Sequence, residues 1–154
     1  MTPKSLRLFL DTSVLFAAVF FPTGGARKLF QLAEAGVLRL VVGPTVLSEA
    51  DEVVRRKAMA SRPVLAQLLD AGGVEISPAP TEMQVEEARQ HVQYAPDARV
   101  LAEAIRAEPD WFVTHDKEHF LNEKRELKLS FAIGTPGDLI QSIKDDLFIR
   151  AFSS

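Results

Sequence analysis

The 154-residue sequence contains no cysteine. That excludes disulfides, a thiolate nucleophile, and zinc or iron–sulfur sites built on sulfur. Histidine is scarce at three, and Trp and Tyr occur once each. No long hydrophobic run is present: the longest, Ser13 to Pro22, is about half of the ~20 residues a membrane span needs. The opening MTPKSLR leads straight into an apolar strand-like run, without the longer apolar region and small-residue cleavage site of an export signal. A cytoplasmic protein without membrane contact is therefore expected. Positive charge is not in excess either. Eighteen Lys and Arg against 21 Asp and Glu give a net charge of −3, so non-specific coating of nucleic acid is not expected. Repeats, low-complexity tracts and Pro/Gly-rich linkers are all missing, and residues 1–154 read as one domain.

What is present is ordinary for a globular core, with 47% hydrophobic and 25% charged residues. Five short apolar runs read as strands: Leu6 to Leu10, Val37 to Val42, Val74 to Ser77, Trp111 to Thr114, and Leu129 to Ile133 before Gly134. Continuous apolar runs of this length suit a parallel sheet covered on both faces. Between them lie helical patterns at Gly24 to Ala35, Pro44 to Ala58, Arg62 to Leu69, from Thr81 onward, Pro96 to Glu108, and Pro136 to about Lys144. Gly36 stands as a C-terminal stop and Pro136 at a first-turn position. The alternation predicts a three-layer α/β/α domain with a mostly parallel sheet of about five strands. The ending DDLFIRAFSS reads as a docked extension or as an apolar tail used for oligomerisation.

Four acids are placed less casually than the rest. Asp11 follows the first strand and Asp116 the fourth, so both belong at the carboxyl edge of the sheet, where α/β folds bind ligands. Asp11 could alternatively cap the helical-looking run after it. With Val100 at zero and about 100° per residue, Ala104 lies near 40°, Leu101 near 100° and Ile105 near 140°. Asp97 then falls at about 60°, on the apolar face. A carboxylate there must be capped, paired or metal-bound. Its alternative role is a first-turn acid after Pro96. Glu49 flanks the buried stripe Val46, Leu47, Ala50, Val53 and Val54, where it can reach a crevice rim, while Asp51 and Glu52 turn to solvent. Converging carboxylates repel unless cations hold them, and all-oxygen sites favour Mg2+ or Mn2+.

These segments resemble the motifs of PIN-domain nucleases. FLDTSVL at Phe9 to Leu15 is similar to their opening strand, and VVGPTVLSE at Val41 to Glu49 to their second strand and acid-bearing helix. APDARVLA at Ala95 to Ala102 resembles the third motif, VTHDK at Val113 to Lys117 the fourth, and Gly134-Thr135-Pro136 the end of the last strand. The resemblance implies metal-binding acids at Asp11, Glu49, Asp97 and Asp116, with Thr12 and Thr114 as supporting hydroxyls. Ser13 stands where many members carry Asn. It further implies a Mg2+- or Mn2+-dependent endoribonuclease with one or two ions per site. Many bacterial and archaeal members are toxins of type II toxin–antitoxin pairs, of the virulence-associated protein C kind. Such proteins are often homodimers, inhibited by a small antitoxin.

Beside that site, Arg99 and Lys117 are candidates for contacting RNA phosphates. Arg55-Arg56-Lys57 reads as a cationic helix end, and Lys124, Arg125 and Lys128 as a solvated cluster. His115 and His119, four apart, could ligate zinc, but no third nitrogen ligand is evident. Trp111 and most of the ten Phe are expected in the core, with Phe20-Phe21 an alternative partner groove. No Gly-rich dinucleotide or phosphate loop follows the first strand. Two other functions compete. A silent PIN-like scaffold would bind RNA or protein only. A phosphatase using Asp11 as nucleophile would want a second acid at the position of Ser13.

Overall fold

The computed structural model describes residues 5–120 and 129–152, leaving aside the side chains at 118 and 119. The basic cluster at Lys124, Arg125 and Lys128 and the His119 side chain therefore lie outside the described residues. Five strands form one parallel sheet: β1 (Leu6–Leu10), β2 (Leu38–Val42), β3 (Glu75–Ile76), β4 (Trp111–Val113) and β5 (Ala132–Gly134), in the order β3-β2-β1-β4-β5. Among the described residues eight α-helices connect them: α1 (Thr12–Phe20), α2 (Gly25–Glu34), α3 (Pro44–Lys57), α4 (Arg62–Ala71), α5 (Glu82–His91), α6 (Ala95–Ala107), α7 (Lys117–Phe120) and α8 (Pro136–Phe152). No described helix is long and apolar enough to cross a membrane.

The central strand explains the layering. Leu8, Phe9 and Leu10 follow one another with zero exposure, although successive strand side chains point to opposite faces. Helices must therefore cover both faces, as the three-layer expectation requires. β1 lies between β2 and β4, with Phe9 opposite Val41 on one side and Phe112 on the other. Phe9 and Phe112 stack with ring centroids 5.5 Å apart.

Local chemistry sets several boundaries. α2 stops at Gly36, whose φ of 81° favours glycine; its N–H reaches Ala33 O and that of Val37 reaches Leu32 O, closing the helix and launching β2. α5 opens on a reciprocal box, with Gln84 N donating to Thr81 Oγ1 and Thr81 N donating to Gln84 Oε1, which satisfies two orphan amides.

Two expectations are corrected. β5 occupies Ala132–Gly134 rather than Leu129 to Ile133, because it can pair only where three-residue β4 runs beside it, Trp111 opposite Ala132. α8 does not end near Lys144 but continues to Phe152, carrying the tail with it. Gln141 bonds Asp145 and Arg150 pairs with Asp146 along its surface, which supports the added turns. Most of the Phe residues enter the core as expected: Phe9, Phe30, Phe112, Phe120 and Phe131 are buried and Phe16 packs against them, whereas Phe20, Phe21, Phe148 and Phe152 are exposed.

Candidate active site

The carboxyl edge of the sheet is built first by backbone. Asp11 N donates to Val113 O at 3.0 Å and Thr114 N to Gly134 O at 2.9 Å. These bonds carry the β1–β4–β5 pairing one residue past each strand. Asp11 and Thr114 thereby become neighbours, as adjacency of the first and fourth strands requires.

Asp11 is buried at 8% exposure. It occupies the position before α1, yet its carboxylate makes no cap to that helix. Instead Oδ2 accepts two hydroxyls, Thr114 Oγ1 at 2.7 Å and Ser13 Oγ at 3.0 Å. Each hydroxyl also accepts a backbone amide of the loop after β4: Asp116 N meets Thr114 Oγ1 at 2.9 Å, and His115 N meets Ser13 Oγ at 3.1 Å. The buried charge is thus met by two charge-assisted bonds, and the loop bearing Asp116 is tied to it. Asp116 itself is exposed.

Glu49 is half-buried on α3, and its Oε2 accepts Thr12 Oγ1 at 2.9 Å. The adjacent residues Asp11 and Thr12 therefore connect to Asp116 on one side and to Glu49 on the other. Asp97 lies half-buried in the first turn of α6. That turn is held near the start of α3, where Arg99 Nε donates to Thr45 Oγ1 at 3.2 Å.

Asp11, Glu49 and the backbone of Asp116 are thus linked through hydroxyls, while Asp97 lies on a turn tied to the start of α3 through Arg99. Among the described residues no three acid or histidine side chains lie close enough together to grip an ion as they stand. The donor chemistry nevertheless suits a hard divalent cation: every candidate ligand is a carboxylate, and one Asp11 oxygen is already held in place by hydroxyls. His115 is exposed and supports no zinc cluster among the described residues.

The two basic candidates are less free than the sequence suggests. Lys117 Nζ pairs with Asp138 Oδ2 at 3.2 Å. Asp138 also accepts Thr135 N at 3.0 Å and donates its own N–H to Thr135 Oγ1 at 3.1 Å, opening α8. The Thr135 amide, followed by Lys117, holds the Asp138 carboxyl below its ordinary value. The T-P-G-D spacing of this turn was a legible capping signal. Arg55 and Arg56 pair with Asp51 and Glu52 one turn back, in keeping with a helix-end role.

One acid was not anticipated. Glu103, on α6, is completely buried. Both its oxygens accept Thr45 N, at 2.9 and 3.3 Å. Burial raises its carboxyl above the ordinary value and nearby Glu49 adds to the rise, while the bonds from Thr45 and the charge of Arg99 oppose it.

Acids and hydroxyls joined at the carboxyl edge of a parallel sheet define the general class, an α/β domain with acids at its ligand edge. The PIN domain model matches residues 7–118, and the chain belongs to the PIN-domain family. Among solved structures, VapBC2 from Rickettsia felis, crystallised bound to a DNA fragment from its promoter, is similar to it. That match has a TM-score of 0.64 and 17% identity, covering 84% of this chain and 98% of the other. Identity at that level speaks for the shared fold. No curated protein matches the sequence.

Proposed function

We propose that this chain is a divalent-cation-dependent endoribonuclease, the toxin of a toxin–antitoxin pair, composed of one nuclease domain over residues 1–154. The observation that carries the reading is the hydrogen-bonded unit of Asp11, Ser13, Thr114 and the Asp116 loop, linked through Thr12 to Glu49. Membership of the PIN-domain family supports it, and likeness to a complex named VapBC2 supports the pairing with an antitoxin.

Asp11, Glu49, Asp97 and Asp116 would hold one or two Mg2+ or Mn2+ ions. When bound, the cation lowers the pKa of a water and neutralises charge on a phosphate. The chain's own residues do the rest. Thr114 and Ser13 fix the Asp11 carboxylate, and Thr12 fixes that of Glu49. Arg99, anchored at its Nε by Thr45, can turn its remaining guanidinium donors to an RNA phosphate. Lys117 reaches phosphate only by leaving Asp138. A cytoplasmic homodimer blocked by a small antitoxin completes the reading.

The test is cleavage of RNA with Mg2+ or Mn2+ by wild type and by Asp97→Asn. The expected result is cleavage by wild type that the variant loses. Equal cleavage by both, or none by either across varied RNA substrates, overturns the proposal.

A further inference from the structure

α3 begins without a cap of its own. Gly43 stands before it with no side chain to offer, and Pro44, its first residue, has no amide hydrogen. Thr45 therefore carries the first orphan N–H of the helix. Its partner comes from 58 residues away: the carboxylate of Glu103, fully enclosed, places both oxygens on Thr45 N. A negative group there also meets the positive end of the α3 dipole. The fit leaves no room for a side chain at position 43, since a Cβ on Gly43 would overlap Glu103 Oε1 and lie 2.8 Å from its Cβ and Cδ.

A second contact falls on the same residue. Arg99 Nε donates to Thr45 Oγ1 at 3.2 Å. Glu103 and Arg99 are four apart on α6, so one face of that helix grips both the amide and the hydroxyl of Thr45. Glu49 lies one turn beyond Thr45 on α3, and Asp97 lies two residues before Arg99 on α6. The clamp thus joins the two acid-bearing helices within one turn of each acid.

Burying a carboxylate is a costly way to cap a helix. Ser, Thr, Asn or Asp at position 43 would cap α3 locally, without enclosing a charge. A cap delivered from α6 does what a local cap cannot, which is to fix α3 relative to α6. We propose that Glu103 is a positioning residue for the acid site: by capping α3 from α6 it sets the placement of Glu49 relative to Asp97. The metal-site part of this inference rests on the functional reading above.

The experiment uses the full chain with three substitutions. Glu103→Gln keeps an oxygen acceptor at the same reach, Glu103→Asp withdraws the carboxylate by one methylene, and Glu103→Leu removes the acceptor at similar volume. Two quantities are read below the unfolding transition: Mn2+ affinity by calorimetry, and hydrogen exchange of the Thr45 amide by NMR. Glu103→Leu and Glu103→Asp are expected to speed Thr45 exchange at least tenfold and to weaken Mn2+ binding about tenfold, with amides of β1 unchanged. Glu103→Gln is expected to stay within about threefold of wild type in both. A residue that merely supports the fold would lower stability and loosen amides broadly, without a Mn2+ loss that Gln restores. If Glu103→Leu does not fold, Glu103→Asp carries the same comparison. Wild-type Mn2+ affinity together with wild-type Thr45 exchange in a folded Asp or Leu variant overturns the inference. A wild-type protein that binds no Mn2+ instead overturns the functional reading and the metal-site role with it.

Discussion

Thr114 and Asp11, 103 residues apart in sequence, meet through a 2.7 Å bond from the Thr114 hydroxyl to Asp11 Oδ2. The same hydroxyl accepts Asp116 N at 2.9 Å, so one fully buried threonine ties the Asp11 carboxylate to the backbone of Asp116. Thr114→Val keeps the shape and deletes this link. The expected cost is about 1–3 kcal/mol, the usual penalty for leaving a buried polar group short of a partner. RNA cleavage should fall at least tenfold. Urea unfolding and cleavage rates on the same preparation check both.

Ser13 supplies the second donor to the same Asp11 oxygen at 3.0 Å. Ser13→Ala alone should cost about 1 kcal/mol, because Thr114 still serves that oxygen. With both hydroxyls gone, Asp11 Oδ2 loses both donors. The double variant should therefore lose more than the sum of the two singles. A strictly additive double-mutant cycle would contradict this shared-acceptor arrangement.

Much of the fold was legible because a buried parallel sheet writes itself as apolar runs with sharp ends. The first run, Leu6 to Leu10, coincides with β1, and it ends where Asp11 begins the site. β5 was displaced because strand length there depends on β4, a partner distant in sequence. The Asp11 carboxylate was harder to place. Sequence proximity favours a local cap, but the competing donor Thr114 arrives by strand adjacency. Glu103 escaped notice for a related reason. On the angular count that put Asp97 inward, it falls near 300°, off the apolar stripe. Yet α6 buries Ala98, Val100 to Ala104 and Ala107, an arc far wider than a one-sided helix shows. The signal that could have exposed it was its setting, an acid between Ala102 and Ala104, with Gly-Pro opening the helix opposite.

Metal dependence should be visible in stability as well as activity. A ligand that binds only the folded state stabilises it by about 2.7 kcal/mol at 100 times its Kd. Mn2+ is expected to raise the wild-type thermal midpoint accordingly, and Asp11→Asn to lose most of that rise. Chelation should stop RNA cleavage and added Mn2+ restore it. A midpoint shift of equal size in Asp11→Asn would remove Asp11 from the proposed ligand set.

Gly43 and Glu103 should behave as one unit. Gly43→Ala places a methyl group where the Glu103 carboxylate lies. The contact involves a buried side chain locked by two bonds, so relaxation is limited and a loss of about 1–3 kcal/mol is expected. Shortening the neighbour in Gly43→Ala/Glu103→Ala removes the overlap. The double variant should then be more stable than the two separate losses predict, by at least about 0.5 kcal/mol. Denaturant midpoints of the four proteins decide this, and additivity would show that the two residues do not compete for the same space.

Two glutamates should impose opposite pH slopes on stability. Arg7 holds Glu75 through a bidentate contact at 2.6 and 3.2 Å. This hydrogen bonding is the main cause that lowers the Glu75 carboxyl below its reference of 4.5. A lowered native value means the unfolded chain takes up the proton first. The pair's contribution is therefore present above pH 4.5 and fades as pH falls through the native value. Its size should stay under about 1 kcal/mol, because the Glu75 side chain is 53% exposed and solvent screens it. Glu103 runs the other way, since burial makes its native form hold the proton more tightly. Its cost is absent below the reference value and grows as pH rises from there to the raised native value. Relative to wild type, Glu75→Gln should thus weaken toward neutral pH, whereas Glu103→Gln should gain. Urea unfolding of the three proteins from about pH 3 to about pH 8 yields two difference curves of opposite sign. Curves of the same sign would show that one of these carboxylates does not sit in the environment described.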